Sequence, residues 1–598
     1  MSAASLEAAA TNRVPLAGIM SPSAPSSRSA QRDHFVWGLT IFGFSLLLRG
    51  LQVWQVNDSV ASDMILGDAQ NYDARAREIA SGDWIGDQVF YQAPLYSYFL
   101  AVVYRFVGDA PLVVRLVQML LGATSCVFLA QAGWRFFGKP AGIAAGLLLA
   151  VYAPAIFFDS MLQKSCIDVF LVCASLWVLS EIDPRRSRGS CFGLGVLLAV
   201  LVLSRENALV FCVVVLAWLL LLPSAAWRTR VALAASLAAG IGLVLLPVAL
   251  RNASVSGDFH LTTSQFGHNF FIGNNEAADG TYKPLLHARG DPRVEIQDAI
   301  DLAEKQSGRE LSRGEVSDFY FQRGLRFIAS QPADWARLML RKLRLAFNAV
   351  EIVDTEDQYT HAEWSFVLRW TGLVMHFGLL APLALLGVWV TWPQRSRLLP
   401  LYLLASSYLA GLLIFYVFAR YRMPLVPFVV LFAAAGICGC ADFFRSRGTG
   451  GIAALCLSVL ALTIFCNWPM IGVDRMRSVT HFNIGNELVA RERVEDGAHY
   501  YREAIRLHAD NALANHNLGA LLAERGDFGR AKAHFERALE IAPDYAQARS
   551  NLARVHNDLG LRSLAAGERE RAAISFREAL RIDPSFSEAG RNLAAIEP

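Results

Sequence analysis

The chain has 598 residues, of which 54% are hydrophobic and 18% charged, and its mean hydropathy is +0.34. These values are far from those of an average soluble protein and indicate an all-α polytopic membrane protein. The net charge of +3 is too small for a nucleic-acid-binding surface, so no nucleic acid partner is expected. The cysteines show no CxxC spacing, which argues against a zinc site or a disulfide framework.

Residues 1–34 are rich in Ala and Ser and lack an apolar core, so they are predicted to form a disordered cytoplasmic tail. A membrane-spanning helix needs roughly 20 apolar residues, and this requirement predicts about eleven such helices in the rest of the chain. They are placed near 35–56, 111–136, 140–157, 165–181, 190–204, 206–222, 230–250, 365–391, 398–418, 423–443 and 451–471.

Basic residues cluster in alternate short loops, which read "RFFGK", "DPRRSR", "WRTR", "PQRSR" and "FRSR". The positive-inside rule assigns these loops to the cytoplasm. With the N-terminus inside and an odd number of spans, the loop 57–110, the segment 251–364 and everything after 471 lie on the outer side. The membrane core then consists of residues 35–250 and 365–471. The predicted location is the bacterial inner membrane.

Residues 478–598 are predicted to form a separate helical domain, because small residues, aromatic residues and proline recur at regular intervals. Leu518 has counterparts at Ile484 and Leu559, which lie 34 and 41 residues away. This spacing resembles the tetratricopeptide repeat. The seven extra residues of the longer interval make about two helical turns, so the buried face is kept. Two roles stay open, a rigid spacer and a surface for an acceptor or protein partner.

The first outer loop contains "GDAQNYDARAREIASGDW" at residues 67–84. Asp68 follows Gly67 and has two interpretations. It either caps a helix that ends near Gly82, or it presents a carboxylate to lipid-linked substrates at the membrane surface, with Tyr72 as a neighbour in the site. Asp73 and Arg77 are four residues apart on one helical face, which predicts an ordinary ion pair.

Several segments along the core together resemble the GT-C-type membrane glycosyltransferases, the superfamily of protein O-mannosyltransferases and lipid A aminoarabinose transferases. They are the loop above, "FFDSMLQK" (157–164), "LSRENALVF" (203–211), "LRNASVSGDFHLTTSQFGHNFFIGNNEAADGTY" (250–282), "RKLRLAFNAVE" (341–351) and "RYRMPLVP" (420–427). The resemblance spans most of residues 35–445. It implies a polyprenyl-phosphate sugar as the donor and a catalytic base in the first outer loop, where Asp68 matches.

The resemblance also bears on a second acid and on metal binding. Many relatives carry two adjacent acids where this chain has Asp68 followed by Ala69, and this departure disfavours a site in which paired carboxylates hold a divalent metal ion. Metal dependence therefore stays open. Asp159 resembles the second acidic position of the family and is a candidate catalytic residue. The alternative is that Asp159 is an N-cap or interfacial residue before the span that begins near Ser165.

Sugar transfer from a lipid phosphate requires a base for the acceptor hydroxyl and cations for the departing phosphate. Four basic residues at predicted outer helix ends depart from the positive-inside trend and are candidate phosphate ligands: Lys164, Arg205, Arg420 and Arg422. The alternative is that these long side chains merely reach the head-group layer. The stretch around Tyr421 most closely resembles the donor-phosphate motif of the family.

The outer segment 251–364 is predicted to cover the membrane core, with a helical stretch from about Arg313 to Phe347. Its sequence "FGHNFFIGNN" supplies polar side chains that suit either sugar hydroxyls or turns. They belong to His268, Asn269, Asn274 and Asn275. Glu351 follows a basic helix, and we expect it to pair with Arg344 or Lys342 rather than to act as an acid.

The sequence therefore predicts an integral-membrane glycosyltransferase that moves a hexosyl or pentosyl unit from a polyprenyl phosphate to a protein, glycolipid or polysaccharide on the outer face. A lipid-linked sugar transporter or flippase and a noncatalytic scaffold for the repeats are the alternatives. A transporter favours internal duplication and charges near the bilayer midplane. The chain shows mainly Asp168 and Arg115 of that kind, and no obvious duplication.

Overall fold

The computed structural model describes residues 27–62, 64–90, 92–183, 187–223, 225–256, 261–263, 266–285 and 292–597. All regular elements among these residues are helices, which confirms the predicted all-α class. Most of the predicted N-terminal tail, residues 1–26, lies outside the described residues. The first helix begins at Ser27, eight residues before the predicted start of the first span at residue 35.

The first part of the core contains ten helices that follow one another with short connections. They are α1 (Ser27–Asn57), α2 (Asp68–Ser81), α3 (Leu95–Val107), α4 (Pro111–Phe137), α5 (Lys139–Val151), α6 (Ala153–Ser160), α7 (Ser165–Ser180), α8 (Arg188–Ser204), α9 (Leu209–Leu220) and α10 (Trp227–Ser256). The segment that follows forms α11 (Phe266–Gly273), α12 (Pro292–Ser307), α13 (Arg313–Ser330), α14 (Pro332–Ala346) and α15 (Gln358–Trp364). The second part of the core forms α16 (Phe366–Val374), α17 (Phe377–Thr391), α18 (Arg395–Ile414), α19 (Ala419–Arg422) and α20 (Val426–Cys466).

A helix lies near each predicted span, but the predicted number of spans is not confirmed. By length and composition, five helical stretches within the described ranges can cross a membrane, or six if the bent pair α5 and α6 forms one span. The pair is bent by 54°. Further apolar helices, among them α7, α8 and α9, are shorter than 18 residues.

The helix α20 cannot be straight, because its middle and its C-terminal end both reach the short helix α17. A Cβ atom at Gly439 would lie 2.6 Å from the Val390 side chain, and Asn467 donates a hydrogen bond of 2.8 Å to the Gly378 carbonyl oxygen. Gly378 and Val390 are about 18 Å apart along α17, whereas Gly439 and Asn467 would be about 42 Å apart on a straight helix. The helix α20 therefore turns back and supplies the last two predicted spans as two antiparallel halves.

The loops sort onto two faces of the helical core. Three of the five predicted cytoplasmic loops meet on one face, where Arg135 forms an ion pair of 2.7 Å with Glu181, and Arg397 donates to the Phe136 carbonyl oxygen. The other face carries Asp68 and Arg420, and we call it the site face. These contacts bring three of the five basic loops together, and the alternation of the remaining loops stays a prediction.

The segment that contains α11 to α15 packs on the site face. The predicted helical stretch is two helices, α13 and α14, and α13 begins with a capping box in which Ser312 and Glu315 bond each other's backbone. Apolar residues of this segment, such as Ile272 and Leu345, are buried against Tyr416 and Phe418 of the core. The segment is thereby held close to the residues that follow α18.

The C-terminal helices form antiparallel pairs as the repeat spacing predicts. They are α21 (Val473–Ala490), α22 (Val494–Leu507), α23 (Ala512–Glu524), α24 (Phe528–Ile541), α25 (Ala546–Ala565), α26 (Arg569–Ile582) and α27 (Ser587–Ile596). A Cβ atom at Gly519 would lie 3.1 Å from the Phe535 ring, so a small residue is needed where α23 and α24 meet. The helix α25 has 20 residues and α23 has 13, so the longer repeat interval is absorbed as two extra turns.

The repeat domain is attached to the site face through α21. Met64 and Leu66 of the loop before α2 form a buried cluster with Ile484 and Leu488. Asn483 donates a hydrogen bond of 2.8 Å to the Thr355 carbonyl oxygen. The first repeat helix therefore packs directly on loops of the membrane core.

Candidate functional site

The helix α2 carries Asp68 at its first position. Gly67 is the N-cap residue, with φ of 58°, and a Cβ atom there would lie 2.6 Å from Thr355 Oγ1. Glycine is therefore required both by the backbone conformation and by the close approach of the loop before α15. The N-cap interpretation of Asp68 is wrong, whereas the predicted helix end at Gly82 is confirmed. The positive end of the helix dipole favours a carboxylate at this position.

Asp68 belongs to a group of three charged side chains. Its Oδ2 lies 2.5 Å from Arg420 Nη1, and Arg420 Nη2 lies 2.9 Å from Asp354 Oδ2. Gln92 donates a hydrogen bond of 2.8 Å to the other oxygen of Asp68. One guanidinium thus bridges two carboxylates that come from distant parts of the sequence.

The two carboxylates of this group ionise differently. Burial alone would raise the pKa of Asp68, but Arg420, with help from Lys164 and Gln92, lowers it below its usual value of 3.8. Burial raises the pKa of Asp354, and the nearby Asp68 charge raises it further. Arg420 lowers this pKa, but its effect does not cancel the effect of burial. Asp68 is therefore the more acidic member of the pair and is anionic at neutral pH.

Three of the four predicted phosphate ligands lie near Asp68. Arg205 and Arg420 both stack on the ring of Tyr421, at 5.0 and 5.1 Å from its centroid. Lys164 Nζ lies 5.9 Å from the centroid of the Tyr72 ring. The charges of Arg205 and Arg420 both lower the pKa of Lys164, so the three cations lie close together.

The three cations differ in whether a carboxylate is paired with them. Arg205 forms a buried ion pair of 2.7 Å with Asp168, which also accepts a hydrogen bond of 2.5 Å from Ser204. Within the described part of the chain, the Lys164 ammonium forms no ion pair with a carboxylate shorter than 4 Å, and burial lowers its pKa while Glu206 opposes the shift. Lys164 is thus the cation best placed to take up an added anion.

Arg422 is directed away from this region. It pairs with Glu351 and donates hydrogen bonds of 3.2 and 2.7 Å to the carbonyl oxygens of Ala346 and Asn348. Tyr152 donates to the same glutamate at 3.1 Å. The predicted pairing of Glu351 with Arg344 or Lys342 is wrong, because α14 ends before Glu351 and the chain turns toward α19.

Asp159 lies in α6 and is paired with Arg49 of α1, with 2.6 Å between Nε and Oδ2. A Cβ atom at Gly122 would lie 2.1 Å from this carboxylate, so α4 packs closely against the pair. The N-cap interpretation is wrong, since Lys164 occupies the N-cap of α7. Asp68 and Asp159 bind different arginines, and no group of three or more His, Cys, Asp or Glu in the described ranges is arranged to hold a metal ion.

The polar residues of "FGHNFFIGNN" have mainly local partners. Asn274 donates to the carbonyl oxygens of Phe270 and Ile414, and Asn275 donates to those of Phe271 and Ile272. Their amide groups therefore hold the end of α11.

The other two polar residues of this sequence lie earlier in α11. Asn269 accepts a hydrogen bond of 3.0 Å from Tyr416. His268 is buried against Tyr320, and burial lowers its pKa to about 4. A neutral imidazole is expected at this position at neutral pH.

The remaining predictions for α2 concern Tyr72 and Asp73. Tyr72 is buried, and its ring lies edge-on to Tyr96 with 5.3 Å between the centroids. The predicted ion pair between Asp73 and Arg77 is confirmed at 2.8 Å. Tyr104 also donates to Asp73, at 2.7 Å, so Asp73 anchors α2 on α3.

A cavity opens beside the Asp68–Arg420 pair. Its walls are largely apolar and include Val56, Met64, Leu66, Phe157, Phe158 and Leu162, while Arg420 and Asp354 line its polar end. Asp354 and Gln92 are site residues that the sequence did not predict. The acid-rich run "EIVDTEDQ" at residues 351–358 is a signal that points to Asp354, whereas Gln92 has no comparable signal.

Two family models match parts of the chain. Residues 91–250 match the family of dolichyl-phosphate-mannose-protein mannosyltransferases, and residues 510–585 match the tetratricopeptide repeat. A stretch of 74 residues is 34% identical to the protein O-mannosyl-transferase TMTC1 of Homo sapiens and 32% identical to that of Mus musculus. Each alignment covers 12% of this chain and 8% of the relative.

Two solved structures are similar to part of the chain. The apo oligosaccharyltransferase of Archaeoglobus fulgidus is 13% identical, with a TM-score of 0.42 over 79% of this chain and 60% of that chain. ArnT of Cupriavidus metallidurans bound to undecaprenyl phosphate is 15% identical, with a TM-score of 0.32 over 69% of this chain and 78% of that chain. Residues 91–250 are thus similar to the dolichyl-phosphate-mannose-protein mannosyltransferase family and residues 510–585 to the tetratricopeptide repeat, which confirms the predicted resemblance to GT-C-type membrane glycosyltransferases with C-terminal repeats.

Proposed function

We propose that this protein transfers a hexosyl or pentosyl unit from a polyprenyl phosphate to an acceptor hydroxyl at the outer face of the bacterial inner membrane. The observation that carries the proposal is the position of Asp68. Its carboxylate is paired with Arg420, which lines a largely apolar cavity, and nearby Lys164 has no ion pair with a carboxylate among the residues that the structure describes. The match of residues 91–250 to a family that uses a lipid-phosphate sugar supports the same reaction.

In the proposed reaction, the acceptor oxygen forms a bond to the anomeric carbon while the bond from that carbon to the phosphate oxygen breaks. Asp68 receives the proton of the acceptor hydroxyl. The electron pair of the broken bond stays on the polyprenyl phosphate, whose growing charge is stabilised by Lys164, Arg205 and Arg420. The transition state has oxocarbenium character, which a nearby carboxylate also stabilises.

The sharing of Arg420 between Asp68 and the phosphate couples donor binding to base strength. Without the donor, Arg420 lowers the pKa of Asp68 and makes it a weak base. A bound phosphate competes for the same guanidinium, and Asp68 becomes a stronger base when the donor is present. The empty site is in this way less able to remove protons than the occupied one.

The place of the repeat domain supports a protein acceptor. Its first helix packs on the site face beside the loops that carry Asp68 and Asp354. A partner bound along the repeats is therefore held on the same face as the base. Glycolipid and polysaccharide acceptors are the other members of the proposed acceptor class.

The test is sugar release from radiolabelled polyprenyl-phosphate sugars by purified protein in lipid, with membrane extract as the source of acceptor. Loss of a general base typically lowers the rate by about 10²–10⁴-fold, and we expect this for Asp68→Asn. Arg420→Ala should also lose activity. The matched control is Asp83→Asn, because Asp83 follows the same helix but is half exposed and pairs with Arg75.

Two results would contradict the proposal. Full activity of folded Asp68→Asn would exclude this residue as the base. If the native chain consumes none of the donors under conditions that support a known transferase, sugar transfer is excluded for them, and lipid-linked sugar transport or scaffolding becomes the better explanation.

A further inference from the structure

The cavity beside Arg420 has a polar wall that the proposed chemistry leaves unused. This wall is formed by the end of the loop after α14 and by the start of α15, and it contains Glu356, Gln358 and His361. Gln358 is 6% exposed and His361 is 1% exposed, so both are well buried. None of the three has a role in binding phosphate or in moving the acceptor proton.

His361 is held firmly in place by its neighbours. Its Nε2 lies 2.8 Å from Glu356 Oε2, and its ring packs edge-on against Phe157 and Trp364 at 5.0 and 5.2 Å between centroids. A carboxylate only accepts hydrogen bonds, so Nε2 carries the proton in the neutral imidazole and Nδ1 is left as an acceptor.

Two acceptor atoms of this wall lack partners among the residues that the structure describes. They are Nδ1 of His361 and Oε1 of Gln358, and both are buried. A buried polar atom without a hydrogen bond is unfavourable, and native proteins seldom leave one unpaired. Two such atoms in one cavity indicate a ligand that donates at least two hydrogen bonds.

We propose that Gln358 and His361 form a carbohydrate subsite in which their free acceptor atoms bind adjacent sugar hydroxyls. This inference rests on the proposed function, because it assigns the cavity next to Asp68 to a sugar ring of the reaction. The ring belongs either to the lipid-linked donor or to a carbohydrate acceptor, and the chemistry of recognition is the same for both.

A sugar fits this cavity better than the phosphate does. A phosphate offers mainly acceptor oxygens, so it leaves Nδ1 and Oε1 unpaired. The wall also carries Asp354, Glu356 and Asp357, whose negative charges offset the positive charges of Arg115 and Arg420 in the same lining, so the cavity offers an anion no net attraction. A neutral ring instead donates its hydroxyls to this wall and lays its apolar face on Phe157 and Phe158. The phosphate is left to Lys164, Arg205 and Arg420, as in the proposed reaction.

The repeat domain holds this wall in position. Asp357 accepts hydrogen bonds of 2.7 and 2.8 Å from the backbone N–H groups of Tyr359 and Thr360, and in this way begins α15. Thr480 of α21 bonds the same carboxylate and accepts from the Asp357 backbone at 2.9 Å. The subsite is therefore built on a helix whose start is fixed from both sides, which suits selective binding.

The test uses the full-length chain in lipid nanodiscs and three probes. They are short-chain polyprenyl phosphates that carry mannose, glucose, galactose or arabinose, the same polyprenyl phosphate without a sugar, and the free methyl glycosides. The variants are Gln358→Met and His361→Phe, which keep the approximate shape of each side chain. The matched control is Glu363→Gln, because Glu363 lies on the same helix but pairs with Arg477 of the repeat domain.

We expect each variant to weaken binding of the preferred sugar lipid by about tenfold, the effect of one lost hydrogen bond. Binding of the sugar-free lipid should not change, and Glu363→Gln should change neither. If instead the variants weaken only the binding of a free glycoside, the subsite is supported and its ring belongs to the acceptor.

Three outcomes would overturn the subsite. In the first, folded variants with native melting temperatures bind every probe like the native chain. If the native chain then still transfers sugar, the proposed function stands without this subsite. In the second, both lipids weaken equally, and the residues shape the cavity without reading a sugar. In the third, the native chain binds no sugar lipid better than the sugar-free lipid and binds no methyl glycoside. If the native chain also transfers no sugar, the proposed function is excluded together with the subsite.

Discussion

Arg420 bridges Asp68 and Asp354, and its replacement by glutamine tests how the site sets the ionisation of its base. The variant leaves two neighbouring carboxylates without their shared cation. Burial then raises the pKa of Asp68 without the opposing effect of Arg420. If Asp68 is the base, activity should fall off at a higher pH than in the native chain, where the pKa of Asp68 lies below 3.8.

The structure also sets the size of the loss in stability. Arg420 is 8% exposed at its side chain, and its partners Asp68 and Asp354 are 20% and 25% exposed. Removal of one partner from a buried pair costs about 3–5 kcal/mol, and partial exposure of the acids places the expected loss at about 3 kcal/mol. Asp354→Asn added to Arg420→Gln removes one of the two stranded charges and should recover about 1–2 kcal/mol, within the range of measured coupling energies.

The assay combines the pH dependence of kcat/KM for sugar release with thermal unfolding in nanodiscs. The position of the acidic limb of the pH profile reports on the pKa of Asp68. The maximum value of kcat/KM does not, because loss of the cation also weakens phosphate binding. Arg77→Gln is the matched control, since Arg77 pairs with Asp73 of the same loop but is half exposed. An unmoved acidic limb together with additive stability losses in the double variant would refute the role assigned to Arg420.

Three further predictions concern the fold. Gly387→Ala should lower the melting temperature strongly, because a Cβ atom there would lie 1.7 Å from a carbonyl oxygen of the neighbouring helix, whereas Gly411→Ala has open space and should be neutral. Thr480→Val should cost about 1–3 kcal/mol by leaving buried Asp357 short of a partner, and Thr480→Ser should restore most of this loss in the same unfolding assay. Burial lowers the pKa of Lys342 from 10.5 to about 7, so the unfolded chain binds more protons between these values and stability should rise with pH across them. Melting curves of Lys342→Met should show a smaller rise.

The sequence by itself determined the features that depend on near neighbours along the chain. Apolar runs placed the helices, and the interval between Leu518 and Leu559 predicted two extra turns in one repeat helix, because helical periodicity is local. The ion pair of Asp73 with Arg77 follows from the same periodicity. Asp68 was a candidate base because the charged segment 67–84, which follows the first apolar run, resembles the first outer loop of the GT-C family.

Only the tertiary structure decided which distant side chains meet. Asp68 and Arg420 are 352 residues apart, and nothing in either neighbourhood selects the other. Glu351 binds Arg422 rather than a residue of the preceding helix, and Asp354 joins the site through Arg420.

The physical reason lies in the uniform hydropathy of the membrane helices. When every face of a helix is apolar, the sequence does not show which face packs inward, and close packing of small residues and buried polar pairs makes that choice. The folded arrangement therefore decides which charges share a cavity, and with them the chemistry that the site can perform.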